Sequence, residues 1–302
     1  MSSEIRVESQ LRAGLLARDQ AQPRLLLLGS ALLGALTIVL YRHVVVAMAT
    51  QWATDANWGH GFLVPPFAIW LAWRGRKRWQ GAGGEGSWIG LLGMVGAIVL
   101  LVLGSLAAEL FTTRFSLVVL LASAVLMLGG WRRLRALAFP IGFLLLMIPW
   151  PAVVYAQVTF PLEFLASHWA AVALRMAQVP VLREGNLLVL SNYTLQVAQA
   201  CSGIRSLVSL VTLAVSYAYI AEKRLEVRLV LVAMMVPIAV VSNAFRIFGT
   251  GVLTAEVSTR LAHGFFHEFS GWLVFLAATL LMLATHWALR RIAALRRATA
   301  HA

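Results

Sequence analysis

Three side chains on separate apolar stretches carry groups whose chemistry is complementary: the Cys201 thiol, the Arg246 guanidinium and the His267 imidazole. Cys201 is the single cysteine and stands in Ala200-Cys201-Ser202-Gly203-Ile204-Arg205-Ser206, just before an apolar run. Ser202 suits a helix N-cap, and a thiol beside the unpaired N–H groups and positive end of a helix favours the thiolate, the nucleophilic form. The position equally suits an inert thiol packed as a small hydrophobe, so two readings stand.

Arg246 lies in Asn243-Ala244-Phe245-Arg246-Ile247, well inside an apolar run. An arginine near the centre of such a helix costs about 2.5–3.5 kcal/mol on insertion scales, so it normally faces a bundle interior or a cavity. The competing reading is a side chain snorkelling to headgroups or bonding the carbonyls of a broken helix. Asn243, one turn earlier on the same face, can bond it in either case. His263 and His267, four apart in His263-Gly264-Phe265-Phe266-His267-Glu268, raise a two-histidine metal site. A third ligand is missing and the His-Glu-x-x-His pattern is absent, so no metal is expected; each histidine reads either as a general acid or base beside a thiol or as a polar interfacial residue, the latter more for His263 than for the deeper His267. A fourth group, Asp55, Trp58, Gly59, His60 and Gly61, reads either as lining the same cavity or as an interfacial loop.

The elements that must position these residues are apolar and long. The chain has 302 residues, 60% hydrophobic and 12% charged, with a mean hydropathy of +0.81, against about 45–50% apolar and about 25% charged in soluble domains. A soluble globular enzyme is excluded, and the reading is an all-α polytopic integral membrane protein. Eight spans are expected: Leu25–Met48, Ala56–Trp73, Trp88–Ala108, Phe115–Trp131, Leu134–Trp150, Ile204–Ala221, Leu229–Leu253 and Phe265–Leu289. The second and fifth are marginal. Around them lie a cytoplasmic tail over 1–24, the membrane domain over 25–289 and a basic tail over 290–302. Residues 151–203 form the one sizeable external part, with helices along the outer interface and then a short β-hairpin from Asn186–Leu190 and Tyr193–Val197. Gly81–Gly86 reads as a flexible linker.

Charge fixes the sidedness of this reading. With both termini inside, the internal segments hold 18 cations and six acids, while all outer and buried positions hold seven cations and six acids. The net charge of +13 is therefore an inner rim of +12 and an outer face of +1, which removes nucleic acid as a partner and leaves the bilayer. Counting about 1.5 Å per residue from Leu229 puts Arg246 roughly 25 Å across, in the outer third. Cys201 and His267 fall at the same level, a coincidence that three unrelated roles would not produce. Thiol nucleophile, proton-transfer histidine and oxyanion-stabilising guanidinium make up the set that cysteine acyl transfer needs. Ser202, Gly203, Arg205, Asn243, His60 and His263 are its expected supporting residues, and no cofactor is called for.

The motifs resemble the exosortase/archaeosortase membrane proteins. The likeness rests on Ala200-Cys201-Ser202-Gly203-Ile204-Arg205-Ser206, Asn243-x-x-Arg246-Ile247 and His267-x-x-x-Gly271-Trp272-Leu273-Val274-Phe275. Looser agreement is found at Asp55 with Gly59-His60-Gly61-Phe62-Leu63-Val64-Pro65, Pro149-x-Pro151 and Arg183-Glu184-Gly185-Asn186, and together these cover about Trp52 to Phe275 in order. The resemblance implies a transpeptidase-like cysteine protease of the bacterial inner membrane, with its site facing the exterior. Its partners would be membrane-anchored proteins ending in a Pro-Glu-Pro motif, a hydrophobic helix and a basic cluster. By motif matching Cys201 is the nucleophile, Arg246 the oxyanion or substrate-orienting cation and His267 the acid/base. Three other classes compete: a transporter using Arg246, His267 and Asn243, a scaffold for envelope polysaccharide export, and a membrane acyltransferase using His267 without a thiol. The oligomeric state is not legible in the sequence.

Overall fold

The computed structural model describes residues 29, 31–82, 84–191, 193–196, 205–256 and 265–300. The chain divides into two compact units, Met1–Thr50 and Gln51–Ala302. Most of helix α1 (Ala31–Thr54) belongs to the first. The second contains α2 (Val64–Arg74), α3 (Arg76–Gly81), α4 (Trp88–Leu106), α5 (Leu110–Phe143), α6 (Ala152–Met176), strands β1 (Val181–Glu184), β2 (Leu187–Leu190) and β3 (Thr194–Gln196), α7 (Arg205–Ala221), α8 (Leu225–Ala233), α9 (Met235–Glu256) and α10 (Phe265–Ala300).

Among the described residues five helical stretches are long and apolar enough to cross a bilayer: Ala31–Thr54, Trp88–Leu106, Leu110–Met147, Leu225–Ala255 and Phe269–Leu295. Large apolar side chains on several of them stand outward, Leu106 at 79%, Phe245 at 73% and Trp272 at 71% exposure, a surface that suits lipid and not water. Four of the eight expected spans take another form. Ala56–Trp73 becomes a short 3-10 turn (Gly59–Phe62) followed by the 11-residue α2, because Pro65 and Pro66 enter at the first helical turn and the helix stops at Gly75. Ile204–Ala221 gives the 17-residue α7. The expected fourth and fifth spans run into one another as α5, whose 34 residues would extend about 51 Å if straight. Gly130, at φ 69° and ψ −177°, breaks it where the expected boundary falls.

α4 and α5 pack as an antiparallel hairpin whose closeness depends on glycine. A Cβ at Gly90 would overlap the Met127 backbone, and one at Gly93 would overlap the Ser123 hydroxyl. A Cβ at Gly130 would strike the Glu85 carbonyl, so the end of the Gly81–Gly86 stretch, read as a free linker, is seated against the break in α5. The Ser87 amide also donates to the Leu126 carbonyl at 3.2 Å.

The helical part expected after Pro151 is one continuous helix. α6 runs for 25 residues through Pro161. The expected hairpin is present as β2 and β3, and β1 adds a third strand in the order β1-β2-β3, all antiparallel. Glu184 pairs with Leu187 across a two-residue turn that needs Gly185 at φ 62°. The added strand was missed because Val181-Leu182-Arg183-Glu184 has no clean alternation of its own.

Two apolar clusters meet on α9. Ala166, Ala170, Leu174 of α6 and Leu188, Leu190, Leu195 of the sheet bury Val240 and Ile247. Leu207, Leu210, Ala214 of α7 and Ala278, Met282 of α10 bury Met235, Ile238 and Ala239. Gly90→Ala should lower the stability of the detergent-purified protein by about 1–3 kcal/mol through overpacking, whereas Gly96→Ala, with open space around its Cβ, should not lower it. Thermal unfolding of the two variants side by side checks this, and equal losses would contradict the close-packed hairpin.

Candidate functional site

The helical period places two faces on α9. Val240, Ala244, Ile247 and Phe248 turn to α6 and the sheet, and Met235, Ile238, Ala239 and Arg246 turn the other way. On that second face Arg246 is 7% exposed, and its Nε–H donates to the Ser270 hydroxyl of α10 at 3.1 Å. The guanidinium is thus held across a helix–helix contact. Gly271 borders it: a Cβ there would meet a terminal guanidinium nitrogen at 3.7 Å, so alanine fits and bulkier side chains would press on the cation. Asn243 is 1% exposed, and neither its amide nitrogen nor its carbonyl oxygen has a hydrogen-bond partner. It does not bond Arg246. A buried orphan amide costs about 1–3 kcal/mol, which makes this a polar group kept beside the guanidinium at a cost to stability.

The contact also orders α10. Ser270 follows His267 by three residues, about 4.5 Å along a helix axis and on the same face. The residue that holds Arg246 therefore sits one turn from the expected acid/base position. Sequence reasoning assigned Ser270 no role, although the His267-x-x-Ser270 spacing was the available signal.

A second polar tie lies at the start of the second unit. The Trp52 indole donates to the Met147 carbonyl at 2.9 Å, and His60 Nε2 donates to the Leu146 carbonyl at 3.1 Å. His60 Nδ1 is then left to accept the Ser209 hydroxyl proton at 3.2 Å. Ser209 is one turn into α7, the helix that follows the Cys201 segment. Asn57 bonds the Asp55 carboxylate through both its amide groups, and the Tyr155 hydroxyl donates to Asn57 Oδ1 at 3.4 Å. Trp58 is buried with ring contacts to His60, Trp150 and Tyr155. His60 thus connects the loop before α2, the turn after α5 and α7, with both ring nitrogens occupied. Ser209, the third member of that connection, was also missed.

Of the expected site residues, Cys201, Ser202, Gly203 and His263 lie outside the described residues, and for Arg205 and His267 the description reaches the backbone alone. Among the described residues no cluster of three metal-ligating side chains occurs.

Five long apolar helical stretches with outward lipid-type surfaces, one of them carrying a buried guanidinium, define a polytopic helical membrane protein. The chain belongs to the transmembrane exosortase family, whose model matches residues 52–284. No curated protein and no solved structure matches it.

Burial holds the His60 imidazole below its ordinary value of 6.5, the bonds to Leu146 and Asn57 opposing this without overcoming it. The unfolded chain therefore takes up a proton near pH 6.5 before the folded chain does, so the contribution is complete above that pH and declines as pH falls toward the folded value. Unfolding midpoints measured from pH 8 to pH 5 should fall with acid for the wild type and fall less for His60→Gln. A parallel decline in both would contradict the neutral, buried histidine.

Proposed function

We propose that this chain is a membrane cysteine protease of the transpeptidase type. It removes the C-terminal sorting tail of exported proteins at the outer face of the bacterial inner membrane, with both its termini inside. The observation that supports the reading is the Arg246–Ser270 bond, which ties a buried cation to the residue three positions after His267 in a chain of the transmembrane exosortase family. The basic inner rim and nearly neutral outer face support the orientation.

In this mechanism the substrate helix enters the bilayer beside the enzyme and presents its Pro-Glu-Pro motif outside. The Cys201 thiolate attacks the carbonyl at the motif, forming a C–S bond and a tetrahedral oxyanion that Arg246 stabilises. His267 in its protonated form gives its proton to the departing amine as the C–N bond breaks, leaving a thioester on Cys201 and the freed tail in the membrane. Neutral His267 then takes a proton from the incoming nucleophile, water or an acceptor amine or hydroxyl, whose attack expels the thiolate. The orphan Asn243 amide, one turn from Arg246, supplies a donor and an acceptor for the substrate backbone next to the scissile bond.

Cys201→Ala should leave tailed substrates uncleaved in membranes, as read by gel mobility of a tagged substrate, and normal processing by that variant contradicts the proposal. The same variant separates the competing classes, since a transporter, a scaffold or a His267 acyltransferase would tolerate it. Ser270→Ala removes one bond to Arg246, worth about 1.5–3 kcal/mol for a charged donor, and should slow cleavage roughly tenfold or more without abolishing it. An unchanged single-turnover rate would remove Ser270 from the site.

A further inference from the structure

We propose that the basic end of α2 and the facing end of α7 form a pocket for the phosphate of an anionic phospholipid headgroup. The run Arg74-Gly75-Arg76-Lys77-Arg78 is not a uniform surface charge in three dimensions. α2 stops at Gly75 and α3 restarts at Arg76, and the Trp79 indole donates back to the Ala72 carbonyl at 2.8 Å, holding α3 against the last turn of α2. The resulting bend turns Arg74, Lys77 and Arg78 into a cavity of about 350 Å³ whose opposite wall is Tyr219 and Ile220 of α7. Arg76 does not line it, its guanidinium lying over the Trp73 ring at 4.6 Å.

Three observations give the ligand its chemistry. Arg74, Lys77 and Arg78 converge with no carboxylate in the lining, and among the described residues none of them has an ion-pair partner, so the site lacks the anion that would relieve their repulsion. The rear wall is fixed, with the Tyr219 ring stacked on Phe139 and the Arg228 guanidinium over it at 4.8 Å, which adds a fourth cation behind the cavity. The surroundings are apolar and outward, Ile69 at 70%, Trp73 at 60% and Ile220 at 48% exposure, so the cavity opens where the lipid-facing belt meets the basic rim. Guanidinium forks and an ammonium recognise phosphate, the apolar border accepts glycerol and acyl chains, and a choline headgroup would add a cation to a site already short of anions. A neighbouring basic cavity of about 310 Å³ at Arg224 and Arg290 includes Glu222 in its lining and so supplies its own anion. The proposal is independent of the reaction at Cys201.

Native mass spectrometry of the full chain, purified in mild detergent with equimolar phosphatidylglycerol and phosphatidylcholine of matched acyl chains, tests it. Phosphatidylglycerol should be retained in preference, and Lys77→Gln or Arg78→Gln should each weaken that retention about fivefold. Arg76→Gln, which removes the same charge from the same run, should change nothing, and Arg78→Lys should keep most of the preference, which separates lost charge from misfolding. Equal retention of the two lipids, or a loss in Arg76→Gln as large as in Arg78→Gln, overturns the proposal. Displacement of phosphatidylglycerol by millimolar inorganic phosphate at matched ionic strength would also overturn it, by assigning the cavity to a soluble phosphate.

Discussion

A guanidinium buried in an apolar bundle must be paired, and the pairing of Arg246 with Ser270 is the constraint around which the membrane domain is arranged. It requires α9 and α10 to lie side by side at that level, and it leaves the rest of α9 to be packed by apolar side chains. α9 meets that demand by burying Val240 and Ile247 against α6 and the sheet while Met235, Ile238 and Ala239 pack on α7 and α10. One helix thereby joins the sheet, the helix that follows the Cys201 segment and the helix that bears His267. The Asn243 amide on the same stretch is the opposite case, a buried polar group left without a hydrogen-bond partner.

Away from α9 the fold is held by close helix approach and by a few polar ties at chain reversals. The glycine face of α4 on α5 substitutes backbone proximity for side-chain interlocking, as expected where lipid removes the hydrophobic drive between helices. At the other side, Trp52 and His60 grip the carbonyls of Met147 and Leu146, backbone groups left over where Pro149 and Pro151 prevent α5 from continuing. Ser209 carries that grip to α7.

How much of this was legible in the sequence follows from which signals are local. Apolar content and length identified an all-α membrane protein, and the buried arginine stood out because its cost is paid by one residue in one helix. The hairpin of β2 and β3 followed from its change of period, but β1 did not, because a strand buried on one side only by α6 needs tertiary context to be seen. Span counting erred where proline and glycine punctuate: α2 is stopped at 11 residues, and Gly130 divides a helix that hydropathy reads as two spans. Ser270 and Ser209 were not found because a serine signals nothing until its partner on another helix is known. His60 was legible as either a cavity-lining or an interfacial residue, but its two-sided hydrogen bonding depends on a carbonyl 86 residues away and a hydroxyl 149 residues away.

The central claim is that the Cys201 sulfur becomes acylated by the substrate. The most direct measurement is intact-peptide mass spectrometry of enzyme quenched in acid during turnover of a tailed substrate, with and without hydroxylamine. A substrate-derived acyl group should be found on the Cys201 peptide, present at single-turnover times and released by hydroxylamine. Substrate cleavage that proceeds with the Cys201 peptide unmodified at every time point would contradict it.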